Sequence, residues 1–534
     1  MAEENQDPDK TEEKPLNKKL VKYKDRNFSD KLCYIRENIT VEPLFAGLII
    51  PSVISRFAMG NFNLDKACRV NFAFGDEICN ALVKKNSNNF SEYERQVQTL
   101  ISSIDIWRSV INTALPCIII MFLGAWSDRT GKRKLCILLP IFGELMTSIN
   151  NIVNVFFFYE IPVEITVFLE TFFTAATGGW VTMFLGVFSY ISDITSEQSR
   201  TFRVGLVSFC MTVGVPIGIA LGGILVQRMG YYGLFSSTSI LFSFVLMYGC
   251  FCLKEPDAFL QDKGLPKIER TASKDVAFFD LSHVVETVNV AFRRRASNAR
   301  VKVILTLVAV FVIYGPAMSE HGVFYLFVRN QLNWDMVKYS FFASYSIILH
   351  SIGVMFSITV LSKKLQFDDS LLCVIAMFSK FTGAVWTAFV KTDIEMILIP
   401  IIEFFSSAIM TSLRSMITKL VEKDETAKVN SLFALTETLA SLVFHPLYSW
   451  LYMKTLKVLP GAVFLTSAAL IIPASVILVY FFIQHRKAVS TARKLALENQ
   501  EKNDAETESV PEKTEKSYLP DNIKPTELTE KTKL

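Results

Sequence analysis

The chain has 534 residues, of which 51% are hydrophobic, and 44 of them are Phe, while the formal net charge is only +4. A mean hydropathy of +0.34 is too high for a water-soluble globular protein. A helix of about 20 mostly apolar residues is long enough to cross the hydrocarbon core of a bilayer. The composition therefore excludes an ordinary soluble domain and predicts an integral membrane protein.

Twelve apolar segments reach that length and are the predicted membrane spans. A polar stretch separates the sixth from the seventh, so the sequence predicts an all-α membrane protein with twelve transmembrane helices in two six-helix halves. The spans are 41–60, 104–125, 135–158, 162–192, 204–226, 232–253, 301–328, 339–361, 368–390, 393–420, 428–452 and 461–484.

The polar segments complete the predicted domain organisation. Residues 485–534 are rich in Lys, Glu, Asn, Thr and Pro and cannot bury a core, so they are expected to be disordered. The first forty residues are polar, and no cleavable signal peptide is expected. The organisation is a basic cytosolic tail at 1–40, an N-terminal half at 41–253, a cytosolic linker at 254–300, a C-terminal half at 301–484 and a cytosolic tail at 485–534.

Basic residues predict how the spans are oriented. Lys and Arg are frequent before the first span and in the even-numbered turns, whereas the turn between the third and fourth spans has neither. Such residues accumulate on the cytoplasmic side of membranes. Both termini are therefore predicted to be cytosolic, and residues 61–103 to form a loop outside.

The outside segment carries two candidate modifications. Cys68 and Cys79 are close in sequence, and on an oxidising side of a membrane such a pair usually forms a disulfide; two free thiols are the alternative. Asn89-Phe-Ser91 is a glycosylation sequon. Two other sequons, at Asn27 and Asn38, fall on the predicted cytosolic side, so Asn89 alone is a candidate site.

A charged turn lies between the second and third spans, with the sequence Gly124-Ala-Trp-Ser-Asp-Arg-Thr-Gly-Lys-Arg-Lys134. It resembles the signature turn of the major facilitator superfamily of secondary transporters. The resemblance implies a gate: Asp128 would approach the eleventh span when the cytosolic side closes, and Lys132 and Arg133 would pair with acidic helix ends. The alternative is an ordinary cytosolic loop. The gating residues are Gly124, Asp128, Arg129, Gly131, Lys132 and Arg133.

Further motifs narrow the resemblance to one family. They follow one another from the first span to the eleventh, and in this order they are similar to the proton-coupled folate transporter family (solute carrier family 46). Together with Gly124-Ala-Trp-Ser-Asp128, the motifs are Val41-Glu-Pro-Leu44, Ser189-Tyr-Ile-Ser-Asp193, Ser199-Arg-Thr-Phe-Arg203, Leu253-Lys-Glu-Pro256, Asn333-Trp-Asp335, and Arg414 ahead of Lys419-Leu-Val421. The resemblance implies transport of small, anionic organic solutes, folate-like or muropeptide-like, with protons as candidate co-substrates, across the plasma membrane or the lysosomal membrane.

Ionisable residues inside spans are costly and are therefore candidates for function. Glu403 and Arg414 are eleven residues apart, close to three helical turns, which predicts that they share one face of the tenth span. For Glu170, His350 and Lys380 a structural pair or a snorkelling side chain is an equal interpretation. The substrate or proton candidates are Arg56, Glu320, His321, Glu403, Arg414 and Glu437; Glu144 and His445 also lie within spans.

The sequence departs from the family's folate transporter at two positions. Ser208 replaces its acidic residue for proton coupling, and its early histidine of the seventh span falls near Pro316. Coupling through those residues is therefore not expected. His321 beside Glu320, or Glu437, could take that role, because a histidine titrates near neutral pH.

Other patterns complete the prediction. Gly214, Gly218 and Gly222 recur every four residues and predict a close helix contact. No nucleophile with a base, phosphate-binding loop or metal cluster is visible, so neither an enzyme nor a cofactor is expected. No nucleic-acid partner is expected either; the partners are a small solute and the lipid bilayer, and the oligomeric state stays open. The alternative function is a transporter-shaped receptor or scaffold, which would not need the charged turn.

Overall fold

The computed structural model describes residues 40–84, 90–195, 197–262, 299–421 and 426–508. Every regular element in these ranges is helical, as predicted. The α-helices are α1 (Glu42–Lys66), α2 (Asp76–Lys84), α3 (Ser91–Thr130), α4 (Lys134–Phe156), α5 (Val163–Ala176), α6 (Gly179–Ile194), α7 (Glu197–Cys252), α8 (Pro256–Asp262), α9 (Ala299–Gln331), α10 (Met336–Phe356), α11 (Asp369–Phe389), α12 (Asp393–Ile402), α13 (Ala408–Lys419), α14 (Thr426–Thr455) and α15 (Ala462–Glu508).

The membrane-length helices are consistent with twelve spans. Ten helices of the described residues are long and apolar enough to cross a membrane. One of them, Arg203–Cys252, lies within α7, which has 56 residues and a non-helical backbone at Gly230. α7 therefore comprises two segments of membrane length. The 30-residue helix α14 is not among the ten, because Glu437, His445 and several hydroxyl residues lower its hydropathy.

The segment predicted as an outside loop is mostly helical, which corrects the sequence interpretation. α1 continues as a π-helical turn to Asn71, α2 follows, and α3 begins at Ser91, thirteen residues before the predicted span. The first turn of α3 carries Glu92 and Glu94, which suit a helix N-terminus. A hydropathy scan cannot detect α2 or the first turns of α3, because these helical segments are polar.

Two other boundaries differ from the prediction. The fourth span is divided into α5 and α6 at Gly178 and Gly179, whose φ angles of 77° and 51° favour glycine. From Tyr480 onward the chain forms a second compact unit, and it is helical as far as Glu508. Residues 485–508 were predicted to be disordered; their Ala, Leu, Lys and Glu favour a helix. Residues 1–39 and 509–534, and the linker from 263 to 298, lie outside the described residues.

The glycine repeat in α7 packs against α1, as predicted. A Cβ atom on Gly214 would lie 3.1 Å from Ile49, and one on Gly218 would lie 2.8 Å from Val53. Side chains at these positions would separate the helices. The contact is part of the apolar core of the N-terminal half.

The two halves meet at the end of the bundle that carries Cys68 and Cys79, which we call the disulfide end. There Tyr452 of α14 donates to Gln98 of α3 over 2.9 Å, and Ser344 of α10 donates to the carbonyl of Pro216 in α7 over 2.8 Å. One apolar cluster at this end includes residues of both halves. At the opposite end, the ion pairs described below each join helices of the same half. The bundle is therefore held closed at the disulfide end.

Candidate functional site

A buried group of charged residues lies in the C-terminal half. Lys380 of α11 donates to Glu320 of α9 over 2.8 Å and to Glu403 over 3.1 Å. Nε2 of His350 on α10 lies 3.9 Å from Oε2 of Glu403. Glu320 and Glu403 are 5% and 8% exposed, and the Lys380 side chain is 16% exposed. We call these four residues the carboxylate–lysine cluster.

The cluster lies at the middle depth of the membrane helices. Each of its four members falls near the centre of its own span, in Arg300–Gln331, Met336–Lys364, Asp369–Phe389 and Asp393–Lys419 respectively. In many secondary transporters the substrate and coupling-ion sites lie near the bilayer midplane. The cluster therefore has the depth expected of a transport site.

The tenth span is interrupted at the cluster. α12 ends at Ile402, a 3-10 turn covers Glu403–Phe405, and α13 begins at Ala408. Ser379 of α11 donates to the carbonyl of Ile402 over 2.5 Å and so satisfies one of the carbonyls at the break. The break invalidates the predicted shared face: Glu403 is buried against α11, whereas Arg414 is exposed and has another partner.

Two glycines make room for this break. A Cβ atom on Gly383 would lie 2.2 Å from Cγ of Glu403, and one on Gly353 would lie 1.8 Å from the carbonyl oxygen of Phe404. Gly383 follows Lys380 by three residues, and Gly353 follows His350 by three. The helices that supply the lysine and the histidine can therefore approach the broken helix closely.

Arg414 and Arg56 have the same surroundings in the two halves. Arg414 lies 2.9 Å from Glu437 and stacks on the ring of Phe433 at 4.7 Å. Arg56 lies 3.0 Å from Glu144 and over the ring of Trp180 at 5.2 Å. The two arginine side chains are 50% and 42% exposed. Since a charge exposed to lipid is costly, both guanidinium groups are expected to face a water-filled space between the halves.

The other residues that the sequence singled out make their contacts within one half of the protein. His321 is exposed on α9 beside Glu320, and Ser208 is exposed and donates to the carbonyl of Val204 in its own helix over 3.0 Å. In the N-terminal half Arg108 lies 3.2 Å from Glu170 and 3.5 Å from Asp105. Glu170 therefore belongs to a structural pair, which was one of its two interpretations.

The charged turn makes contacts within its own half. Gly131 ends α3 with a φ of 69°, a conformation that favours glycine. Arg133 donates to Asp193 at the end of α6 over 2.9 Å, and its backbone N–H donates to Glu255 over 2.9 Å. A Cβ atom on Gly124 would lie 3.4 Å from Leu185 of α6, and Lys132 is exposed. The side chains of Asp128 and Arg129 lie outside the described part of the structure.

Motif residues that are far apart in sequence meet at the same end of this half. Arg203 lies 2.8 Å from Glu42 and also donates to the hydroxyl of Thr40. Tyr190 donates to the carbonyl of Lys254 over 3.0 Å. These contacts bind α1, α6, α7 and the charged turn together, so this end of the N-terminal half forms one packed unit.

At the disulfide end, Cys68 and Cys79 are bonded, which confirms the predicted disulfide. Close to it, Arg329 of α9 binds Glu94 of α3 with Nε 2.5 Å from the carboxylate, and both side chains are at most 6% exposed. Arg329 also donates to Asn61 of α1 and to the carbonyl of Leu82. We call the Arg329–Glu94 pair the latch. Asn89, the candidate glycosylation site, lies outside the described residues.

The sequence did not reveal the latch or the central role of Lys380. The latch joins residues 235 positions apart in the chain, and Glu94 lies in a segment predicted as a loop. Within the described residues, no group of three or more His, Cys, Asp or Glu could hold a metal ion.

Comparison with known proteins identifies the family. The sequence model described as Major Facilitator Superfamily matches residues 99–445, which is more than half of the chain. The chain belongs to the major facilitator superfamily. It is a multi-pass membrane protein, and the relatives it matches are solute transporters.

Those relatives are members of solute carrier family 46. The probable peptidoglycan muropeptide transporter of Drosophila melanogaster is 21% identical over 79% of this chain and 81% of its own length. The proton-coupled folate transporter of Rattus norvegicus is 26% identical, with 72% and 80% covered. The lysosomal proton-coupled steroid conjugate and bile acid symporter SLC46A3 of Gallus gallus is 27% identical, with 68% and 76% covered.

Solved structures support the same fold. The human organic anion transporter MFSD10 aligns with a TM-score of 0.52 at 13% identity, covering 82% of this chain and 98% of its own. The nucleoside transporter NupG aligns with a TM-score of 0.55 at 11% identity, covering 82% and 100%. At this identity the likeness concerns the fold alone.

Proposed function

We propose that this major facilitator protein is a proton-coupled secondary transporter of amphipathic organic anions, and not an enzyme. The observation that carries the proposal is the pair Arg56 and Arg414, one in each half, each about half exposed within a membrane-spanning helix and paired with a carboxylate. The relatives' names include folate, bile acid and steroid conjugate, which are compounds with acidic groups on large apolar bodies. The membrane is the plasma membrane or the lysosomal membrane.

The two arginines suit an anion because each already holds a carboxylate. A guanidinium group binds a carboxylate or sulfate through two parallel hydrogen bonds, and the aromatic ring beneath it restricts its orientation. Glu144 and Glu437 occupy these positions in the structure. An acidic solute would exchange with these carboxylates, so each guanidinium group would keep an anionic partner.

The closure at one end favours alternating access. If the basic turns are cytosolic, as the charge distribution predicts, the disulfide end is outside and the transporter is open towards the cytosol. The charged turn would then be apart from the eleventh span, and Asp128 would approach it when the cytosolic end closes. Within the described residues nothing favours the alternative of a receptor or scaffold.

The full chain reconstituted in liposomes tests this function. Folic acid, taurocholate and a muramyl dipeptide are offered with and without an inward proton gradient. We expect saturable uptake of at least one of them, increased by the gradient and reduced in Arg56→Ala and Arg414→Ala.

Lys419→Ala is the matched control, because Lys419 is an exposed cation on the same helix as Arg414 and pairs with Asp369 over 2.7 Å. It should transport like the unmodified protein. Folded, reconstituted protein that takes up none of the three anions would contradict the proposal.

A further inference from the structure

The carboxylate–lysine cluster contains more negative than positive charge. Glu320 and Glu403 share the single ammonium group of Lys380, and with a neutral His350 the four residues carry one net negative charge. Removing such a charge from water typically costs several kcal/mol unless it is compensated. One additional proton would make the cluster neutral.

We propose that this cluster is the proton-binding site of the transporter and that Glu403 receives the proton, an inference that rests on the proposed function. A hydronium ion gives one proton to Oε2 of Glu403: an O–H bond of the hydronium ion breaks, an O–H bond to Oε2 forms and a water molecule is released. The cluster changes from one negative charge to none. This assignment differs from the sequence interpretation, which considered His321 or Glu437 for the same role.

Two buried polar atoms of the cluster have no hydrogen-bond partner. Oε2 of Glu403 and Nε2 of His350 are 3.9 Å apart, which is too far for a hydrogen bond, and His350 Nε2 has no partner although it is buried. Oε1 of Glu320 is also buried without a partner. In the tautomer of His350 with its proton on Nδ1, Nε2 is an acceptor, and a protonated Glu403 would have an O–H group to donate towards it.

The neighbouring groups leave Lys380 as the cation that contacts the two carboxylates. From α9 the cluster is faced by His321, and from α14 by Tyr448 and His445, which are near enough to interact electrostatically with its charges or with His321. Arg414 is occupied by Glu437. That pair is balanced one to one, so Glu437 has no excess charge for a proton to neutralise.

The position of Glu403 couples protonation to the shape of the C-terminal half. Glu403 is the first residue of the 3-10 turn that interrupts the tenth span. α11 approaches that turn at Gly383, and α10 approaches it at Gly353. Once Glu403 is protonated on Oε2, its contact with Lys380 through Oε1 is a hydrogen bond to a neutral group and no longer an ion pair. The break in the tenth span is then held less tightly to α11. A proton bound more tightly in one state than in the other shifts the equilibrium between them.

Infrared difference spectroscopy of the full chain in lipid nanodiscs tests the site without any solute. When the pH is lowered from about 8 to about 5, we expect the C=O band of a newly protonated buried carboxyl group. Glu403→Gln should remove most of this band. Glu42→Gln should retain it, because Glu42 is equally buried but balanced by Arg203 at 2.8 Å.

Two results would overturn the proposal. One is a band that is unchanged in Glu403→Gln, whether or not Glu320→Gln alters it. The other is a band that disappears in Glu170→Gln, which would assign the proton to the group formed by Asp105, Arg108 and Glu170 in the other half. Size-exclusion chromatography of each variant establishes that the protein is folded, and glutamine keeps the volume of the side chain.

A transport measurement separates this inference from the proposed function. With the anion that the unmodified protein takes up, Glu403→Gln should still exchange solute across the membrane but lose the increase caused by a proton gradient. If Glu403→Gln keeps that increase, the transporter assignment stands and the proton site is wrong. If no anion is transported, the infrared result still decides whether the cluster binds a proton.

Discussion

A charged residue inside a membrane span is a candidate for function because of its position in the sequence. Which role it has depends on the residues that it contacts in the fold. The sequence predicted Arg414, Glu403 and Glu320 as candidates from their position in apolar segments. It left Lys380 open between a structural pair and a snorkelling side chain. The partners of Lys380 are 60 and 23 residues away, on separate helices, and such a convergence cannot be read from local sequence.

Arg414 is predicted to contribute to solute affinity. Loss of a buried charged partner typically costs about 2–5 kcal/mol. A bound anion would cover Arg414, so Arg414→Ala should raise the half-saturation concentration by at least about tenfold. Arg414→Lys should have an intermediate effect, because lysine keeps the charge and loses the planar fork. The measurement is uptake against solute concentration, normalised to surface protein.

A structural role for Arg414 would give a different pattern. If its pair with Glu437 at 2.9 Å only holds α13 to α14, Arg414→Ala would lower the amount of folded protein and leave the half-saturation concentration unchanged. Lys419→Ala, on the same helix, is again the reference for non-specific effects.

At the scale of elements, the sequence predicted where spans occur better than how they are interrupted. A hydropathy window averages about 20 residues, so it recorded 393–420 as one span and could not detect the 3-10 turn at Glu403–Phe405. The glycines that permit this turn lie in other helices. Their function is apparent only because a Cβ atom on Gly383 or Gly353 would collide with Glu403 or Phe404 respectively.

Gly383→Ala should disturb the site through packing alone. The added methyl group would lie 2.2 Å from Cγ of Glu403, and overpacking of this kind typically costs about 1–3 kcal/mol. We expect a lower thermal unfolding temperature together with loss of the pH-dependent carboxyl band. Gly205→Ala is the control, since a Cβ there has no neighbour within 4 Å. Equal behaviour of the two variants would show that the close approach at Gly383 does not constrain Glu403.

The charged turn leads to a prediction about the gate. Asp128→Ala should lower maximal uptake while surface expression stays about the same, because Asp128 is expected to stabilise only the state that is closed on the cytosolic side. The comparison is maximal uptake per surface molecule. Normal uptake by a fully expressed Asp128→Ala protein would mean that the turn only fixes the orientation of the spans.

At the scale of the whole molecule, the sequence predicted two six-helix halves but not which end is closed. The two states of such a transporter differ by a few kcal/mol, and no span pattern encodes that difference. The structure has the disulfide end closed by contacts between the halves, with the latch as the buried ion pair across the interface.

Breaking the latch should favour opening of the disulfide end. Arg329→Ala removes the guanidinium group that contacts the buried Glu94 across the interface. Loss of one member of a buried ion pair typically costs about 3–5 kcal/mol, here in the closed arrangement. Spin labels at the exposed residues Val83 and Val458 would report the opening by pulsed electron paramagnetic resonance, in a background with the free cysteines replaced. We expect the distance distribution to shift to longer values.

The control for the latch is Arg95→Ala. Arg95 lies on the same helix as Glu94 and forms a more exposed pair with Glu92, three residues away in its own half. Its removal should leave the distribution unchanged. If Arg329→Ala gives the same distribution as Arg95→Ala, the apolar contacts alone keep this end closed.

The disulfide has a pharmacological consequence. It ties α2 to the end of α1, and the carbonyl of Leu82 in α2 accepts a hydrogen bond from Arg329 of the other half. α2 is thus linked to the N-terminal half by a disulfide and to the C-terminal half by a hydrogen bond that can break and re-form. An antibody fragment that binds α2 and α9 at the same time would hold the disulfide end closed and stop the transport cycle. It would act without competing with the solute, whichever solute is transported.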